Sequence, residues 1–141
     1  MKTILLLMAL SLMSCNSAKF VQSSPRQESS YLKKISARIT YYYPEAPFWR
    51  KVSDQTVKTA TEGVTVAAHP DFQFGKKIYI PDLENKLGDG KFVVQDRGTA
   101  VTKKKASAGK GYVFDIYVKN PQKMNYLAKN VPMWSDVYLI D

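Results

Sequence analysis

Six short β-prone runs, each stopped by a proline, a glycine turn or a polar loop, dominate this chain from Ser36 onward. Ser36–Tyr43 (SARITYYY) is rich in β-branched and aromatic residues and ends at Pro44. Gly63–Ala68 (GVTVAA) ends at His69-Pro70, Lys76–Pro81 (KKIYIP) is a third run, and Lys91–Asp96 (KFVVQD) follows the turn Gly88-Asp89-Gly90. Val113–Val118 (VFDIYV) and Asp136–Ile140 (DVYLI) complete the set. One helix is expected late in the chain. Asn120 stands at its N-cap, Pro121 at its first position, and Met124 and Leu127 share a face. Pro44 to Asp54 reads as a loop and Val101–Lys110 as a Lys- and Ala-rich connection. Runs this short and numerous point to a mainly β domain closed into a small barrel. Periodicity alone does not say which barrel.

The N-terminus is of a different kind. Lys2 precedes a ten-residue apolar run at 4–13, too short to span a bilayer but placed where a signal peptide has its core. Leu12-Met13-Ser14-Cys15 then resembles a bacterial lipobox, in which the thiol of the cysteine carries the lipid. Cys15 is the only cysteine, so no internal disulfide can form. The rival reading is plain secretion with a free thiol. Residues 16–30 are polar and Ser-rich, as a flexible tether would be. The expected organisation is a signal peptide over 1–14, a lipidated cysteine and tether over 15–30, and one domain over 31–141. The residue after the cysteine is Asn16, not the aspartate that retains many lipoproteins at the inner membrane. The expected location is therefore the outer membrane, facing the periplasm.

The net charge is +9, and removing Lys2 with the signal leaves about +8. Such a surface suits anionic partners. For an exported protein these are envelope polymers and lipid headgroups rather than nucleic acid, although charge can also serve solubility alone. One histidine and one cysteine disfavour Ser-His-Asp, Cys-His and multi-ligand zinc sites, and no phosphate-binding glycine motif is present. No cofactor or metal is expected. Carboxylates are what remain for chemistry.

Asp115 lies inside VFDIYV, where alternation puts Phe114, Ile116 and Val118 on the core face and Val113, Asp115 and Tyr117 on the other. Partial burial there would raise its pKa and favour the protonated acid that a general acid needs. It could equally be a structural carboxylate. Asp96 ends KFVVQD at the turn Arg97-Gly98-Thr99. It could simply cap that turn, or pair with Asp115 if the two strands lie side by side, with Arg97 holding one of them ionised. His69, before Pro70 at a strand end, reads as a local hydrogen-bonding residue rather than a catalyst. Tyr41, Tyr42, Tyr43, Phe48 and Trp49 could stack on sugar rings or fill the barrel. Lys103, Lys104 and Lys105 read as a solvated loop that could touch an anionic polymer.

Taken in order, these segments resemble the 3D (Asp-Asp-Asp) domain family, related to the catalytic barrel of membrane-bound lytic transglycosylase A. The resemblance covers roughly 37–140. It runs through RITYYYP (38–44), GVTVAAHP (63–70), FGKKIYI (74–80), GDGKFVVQDRG (88–98) and FDIY (114–117). The pairing of QDRG with a later FDIY is its specific part. It implies a six-stranded double-psi β-barrel with one or two short helices, and places the three family aspartates at position 69, Asp96 and Asp115. Position 69 is His69 here, Asp71 lies two residues on, and Asp115 lies 19 positions after Asp96.

By this resemblance Asp115 is the expected acid, Asp96 its tuning partner, and His69, Arg97, Tyr43, Trp49 and Tyr117 the expected substrate contacts. The expected activity is lytic transglycosylation of peptidoglycan glycan strands, with a 1,6-anhydro product. The alternatives are a non-catalytic glycan-binding barrel of expansin-like type and a structural envelope lipoprotein that binds another protein.

Overall fold

A computed structural model describes residues 31–43, 50–52, 55–57 and 60–141. The segments expected as signal peptide and tether, with Cys15, Phe48 and Trp49, lie outside the described residues.

The chain is mainly β. Among the described residues eight strands occur: β1 (Tyr31–Tyr42), β2 (Arg50–Val52), β3 (Gln55–Val57), β4 (Thr65–Ala67), β5 (Lys77–Tyr79), β6 (Lys91–Asp96), β7 (Val113–Tyr117) and β8 (Trp134–Ile140). Six of them close into a ring in the order β1-β7-β4-β6-β5-β8, while β2 and β3 pair with each other. Two neighbouring pairs in the ring are parallel, β1 with β7 and β4 with β6. All six runs read from the sequence fall on ring strands.

Three details differ from expectation. The stretch from Pro44 to Asp54 is not all loop, because Arg50–Val52 pairs antiparallel with Gln55–Val57. The strand at Ser36 begins earlier, at Tyr31, because β8 is long enough to pair with it from Ile140 back to Trp134. The Lys-rich connection contains a short helix, α1 (Thr99–Thr102), and a 3₁₀ turn at Lys105–Ser107.

The interior is filled by alternate residues of the ring. Ala37 and Ile39 of β1, Val66 of β4, Ile78 of β5, Phe92 and Val94 of β6, Phe114 and Ile116 of β7 and Val137 of β8 form one buried cluster. Phe92 and Phe114 are its largest fully buried side chains, each worth about 1.5–3 kcal/mol in apolar burial. Helix α2 (Pro121–Asn130) opens as the sequence foretells, with the Asn120 side chain accepting from the Lys123 N–H at 2.8 Å and Pro121 in the first turn. Leu127 inserts into the core and Met124 packs beside it.

The outer face of β7, which carries Val113, Asp115 and Tyr117, is partly covered. Val113 is fully buried, in a second small cluster with Ala67 and Val101 of α1, against which Tyr42 packs. Helix α1 therefore covers part of the ring's outer wall, beside the two aspartates.

Candidate active site

The site grows from one line of residues across four strands. Thr40 of β1 is paired with Asp115 of β7, Asp115 with Ala67 of β4, and Ala67 with Asp96 of β6. Asp96 and Asp115 thus do not lie on neighbouring strands, as the sequence reading allowed. One strand separates them, or roughly 10 Å between Cα atoms at usual strand spacing. The residue between them is alanine, 3% exposed, too small to screen one carboxyl from the other.

Asp96 reaches this face through an irregularity. Alternation along KFVVQD would send it inward with Phe92 and Val94. The register instead shifts between Val66 and Ala67, so that Val66 faces Val94 while Ala67 faces Asp96. The extra residue, Gln95, is pinned outside by a 2.8 Å hydrogen bond from the Thr65 hydroxyl. A β-bulge of this kind re-aims a side chain, here a carboxylate.

The two carboxyls have different surroundings. Asp96 is 2% exposed. Its Oδ2 accepts from the Tyr42 hydroxyl at 2.8 Å and its Oδ1 from the Arg97 backbone N–H at 2.6 Å. Asp115 is only partly buried. Its Oδ1 accepts from the Thr40 hydroxyl at 2.7 Å. Burial pushes the Asp115 carboxyl up from 3.8 to about 6, the Thr40 bond opposes this by favouring the charged form, and the nearby Asp96 charge adds to the rise. Asp115, partly exposed where Asp96 is buried, is the carboxyl of the pair that a ligand can reach.

Of the other residues picked from sequence, Tyr117 lies at the site. It pairs with Tyr42 across β1 and β7, with the rings 5.7 Å apart and edge-on, so the two form an aromatic wall beside Asp115. Tyr43 packs against the main core. The Arg97 guanidinium, expected on a carboxyl or on substrate, donates instead to the carbonyls of Ala68 and Phe72 and lies 4.2 Å from the centre of the Phe74 ring. Its backbone N–H serves the Asp96 carboxylate, and its Nη1 also reaches the Asp96 carbonyl at 3.5 Å. The side chain ties down the turn after β4.

His69 is held elsewhere. Its Nδ1 accepts from the Asp71 N–H at 3.3 Å and lies 3.2 Å from the Asp71 carboxylate, and its ring is tilted against Tyr112. Asp71 in turn accepts from the Tyr112 hydroxyl at 2.6 Å, which holds the Asp71 carboxyl below its usual value. Asp71, Phe72 and Tyr112 line a separate groove of about 400 Å³ with Lys33 and Lys76. The structure brings Asp96 and Asp115 together and gives His69 to this second cluster.

Sequence reasoning missed Thr40, which holds Asp115, and read Tyr42 only as a ring for stacking or filling, not as the residue that holds Asp96. The signal was present. In RITYY, residues 38, 40 and 42 alternate with Ile39 and Tyr41 and so share the outer face.

Comparison of the chain with models of protein families, with curated proteins and with solved structures finds no match.

Proposed function

We propose that this chain is a Cys15-anchored envelope lipoprotein with a double-psi β-barrel, and that it cleaves peptidoglycan glycan strands as a lytic transglycosylase. The observation that carries the reading is the Asp115 carboxyl, half-buried, raised to about 6 and set across Ala67 from the buried Asp96. The closed ring with its two parallel strand pairs supports the double-psi assignment.

The chemistry needs one acid that becomes a base. Thr40 occupies Oδ1 of Asp115, so Oδ2 is the atom that presents the proton. That proton passes to the glycosidic oxygen between MurNAc and GlcNAc as the bond to MurNAc C1 breaks, and GlcNAc leaves with a free hydroxyl. The MurNAc C6 oxygen then bonds to C1. Its proton returns to the Asp115 carboxylate, which restores the acid and closes the 1,6-anhydro ring without consuming water. An internal nucleophile removes the need for the second reacting carboxylate of a hydrolase. Asp96, buried under Tyr42, acts through its charge on Asp115. Tyr42 and Tyr117, edge-on to each other, offer aromatic surface against which a sugar ring can lie.

Mass analysis of the products from purified sacculi tests the reading. Anhydro ends, lighter than hydrolysed ends by one water, are expected. Reducing ends would make the protein a hydrolase, and sacculi bound but left uncut would make it a glycan-binding barrel.

A further inference from the structure

Strand β1 changes neighbours at Arg38. Up to that residue it pairs with β8, and from it onward with β7. The edge that β8 vacates is flanked by α2 and by the turn at 131–133, and the gap is a cavity of about 270 Å³. Its walls are mostly apolar: Ile39, Met124, Ala128, Val131, Pro132 and Met133. Among the described residues, Arg38 is the only cationic one that lines it.

Two buried polar side-chain atoms have no hydrogen-bond partner among the described residues, Arg38 Nε and Tyr41 Oη, and both residues line this cavity. The Arg38 guanidinium forms no hydrogen bond or ion pair among the described residues. The outer face of β1 thus presents three side chains in register. Tyr42 holds Asp96, Thr40 holds Asp115, and Arg38 holds nothing. A guanidinium placed in an apolar cavity with an unfilled donor is costly unless something anionic completes it. Carboxylates fit its donor fork.

We propose that the Arg38 cavity binds a carboxylate borne on a short apolar arm of the sugar whose glycosidic oxygen Asp115 protonates. One cation among apolar walls suits a monoanion with a methyl-sized substituent. The Arg38 and Thr40–Asp115 positions are two residues apart on β1, about 6.7 Å at ordinary strand rise, close to the span of one sugar ring. The lactyl ether of MurNAc has this chemistry, as does a carboxylate of a peptide attached to it. The identity of the sugar rests on the transglycosylase reading, but the carboxylate does not.

The test is an NMR titration of the full chain in detergent with N-acetylmuramic acid, its neutral methyl ester, muramyl dipeptide and inorganic phosphate. The free acid is expected to shift signals of Met124, Ala128 and Met133, and the ester to bind about tenfold more weakly, the scale of one charge-assisted contact. Muramyl dipeptide, whose lactyl carboxylate is tied up in an amide, separates the two sources. If it binds as the acid does, the carboxylate belongs to the peptide. If it binds as the ester does, the carboxylate is the lactyl group. Arg38→Gln should abolish the preference for the acid. Ala128→Glu, at an exposed helix position lining the cavity, should do the same by supplying Arg38 with an internal carboxylate. Equal binding of acid and ester, an acid preference that survives both variants, or the same shifts with phosphate alone would overturn the proposal. Acid-selective binding without cleavage of sacculi would overturn only the transglycosylase reading, and cleavage without acid-selective binding only this one.

Discussion

Thr40 donates a 2.7 Å hydrogen bond to Asp115 from the position directly opposite it on β1, and this bond opposes the other influences on that carboxyl. Burial and the Asp96 charge favour the proton, whereas Thr40 favours the anion. The balance near 6 leaves a group able to give up a proton and take one back at ordinary pH.

The pH profile of cleavage should therefore carry an alkaline limb near 6, since the reaction begins with Asp115 protonated. Thr40→Val removes a donor to the anion and should move the limb to higher pH. Asp96→Asn removes a neighbouring negative charge and should move it to lower pH. Rate measurements on sacculi from pH 4 to 9 check both signs, and limbs that move together would break the assignment.

Stability should respond to the same carboxyl. Because the folded-state value lies above the unfolded one, the folded chain holds the Asp115 proton more tightly between 3.8 and about 6. This contribution favours folding at low pH and is lost as pH rises through about 6. The displacement corresponds to roughly 3 kcal/mol at most. Asp115→Asn should raise the melting temperature at pH 7.5 and leave it little changed at pH 4, as calorimetry at the two values would show.

How much of this was legible depends on which links are local. The ring strands could be read because turn residues bound them and apolar alternation fills them, as in VFDIYV with Phe114 and Ile116 inside. The placement of Asp96 could not, because a bulge is settled by what the partner strand can accept. Ala67 and Thr65 are distant in sequence from Gln95 and Asp96, so no run around 91–96 announces the shift. Arg97 misled for a related reason. An arginine beside an aspartate invites a bond between the two side chains, and their charges do interact, but the carbonyls of Ala68 and Phe72 after β4 anchor the guanidinium. Asp115 was legible because a carboxylate amid apolar strand residues is conspicuous whatever it faces.

A fold-level prediction concerns Gly90, which opens β6 at φ +73. A Cβ there would lie 2.8 Å from the Ile80 carbonyl and 3.1 Å from the Glu84 nitrogen. Gly109 has φ +77 and nothing within 4 Å. Gly109→Ala should cost only the left-handed backbone penalty, about 1–2 kcal/mol, and Gly90→Ala measurably more. Denaturant unfolding of the two variants makes the comparison.

The anchor makes a separate prediction. Cys15→Ser should release the protein from the membrane fraction into the soluble fraction, whereas wild type stays bound. Equal partitioning of the two would end the lipoprotein reading and leave the barrel chemistry untouched.

The most direct test of the central claim is the rate at which Asp115→Asn cleaves purified sacculi, measured beside wild type on protein shown by circular dichroism to be folded. Asparagine keeps the size and polarity of the side chain but can neither give nor take the proton. The expected result is wild-type release of anhydro-ended fragments and a loss in the variant on the order of 10²–10⁴. Cleavage by folded Asp115→Asn at the wild-type rate would contradict the account.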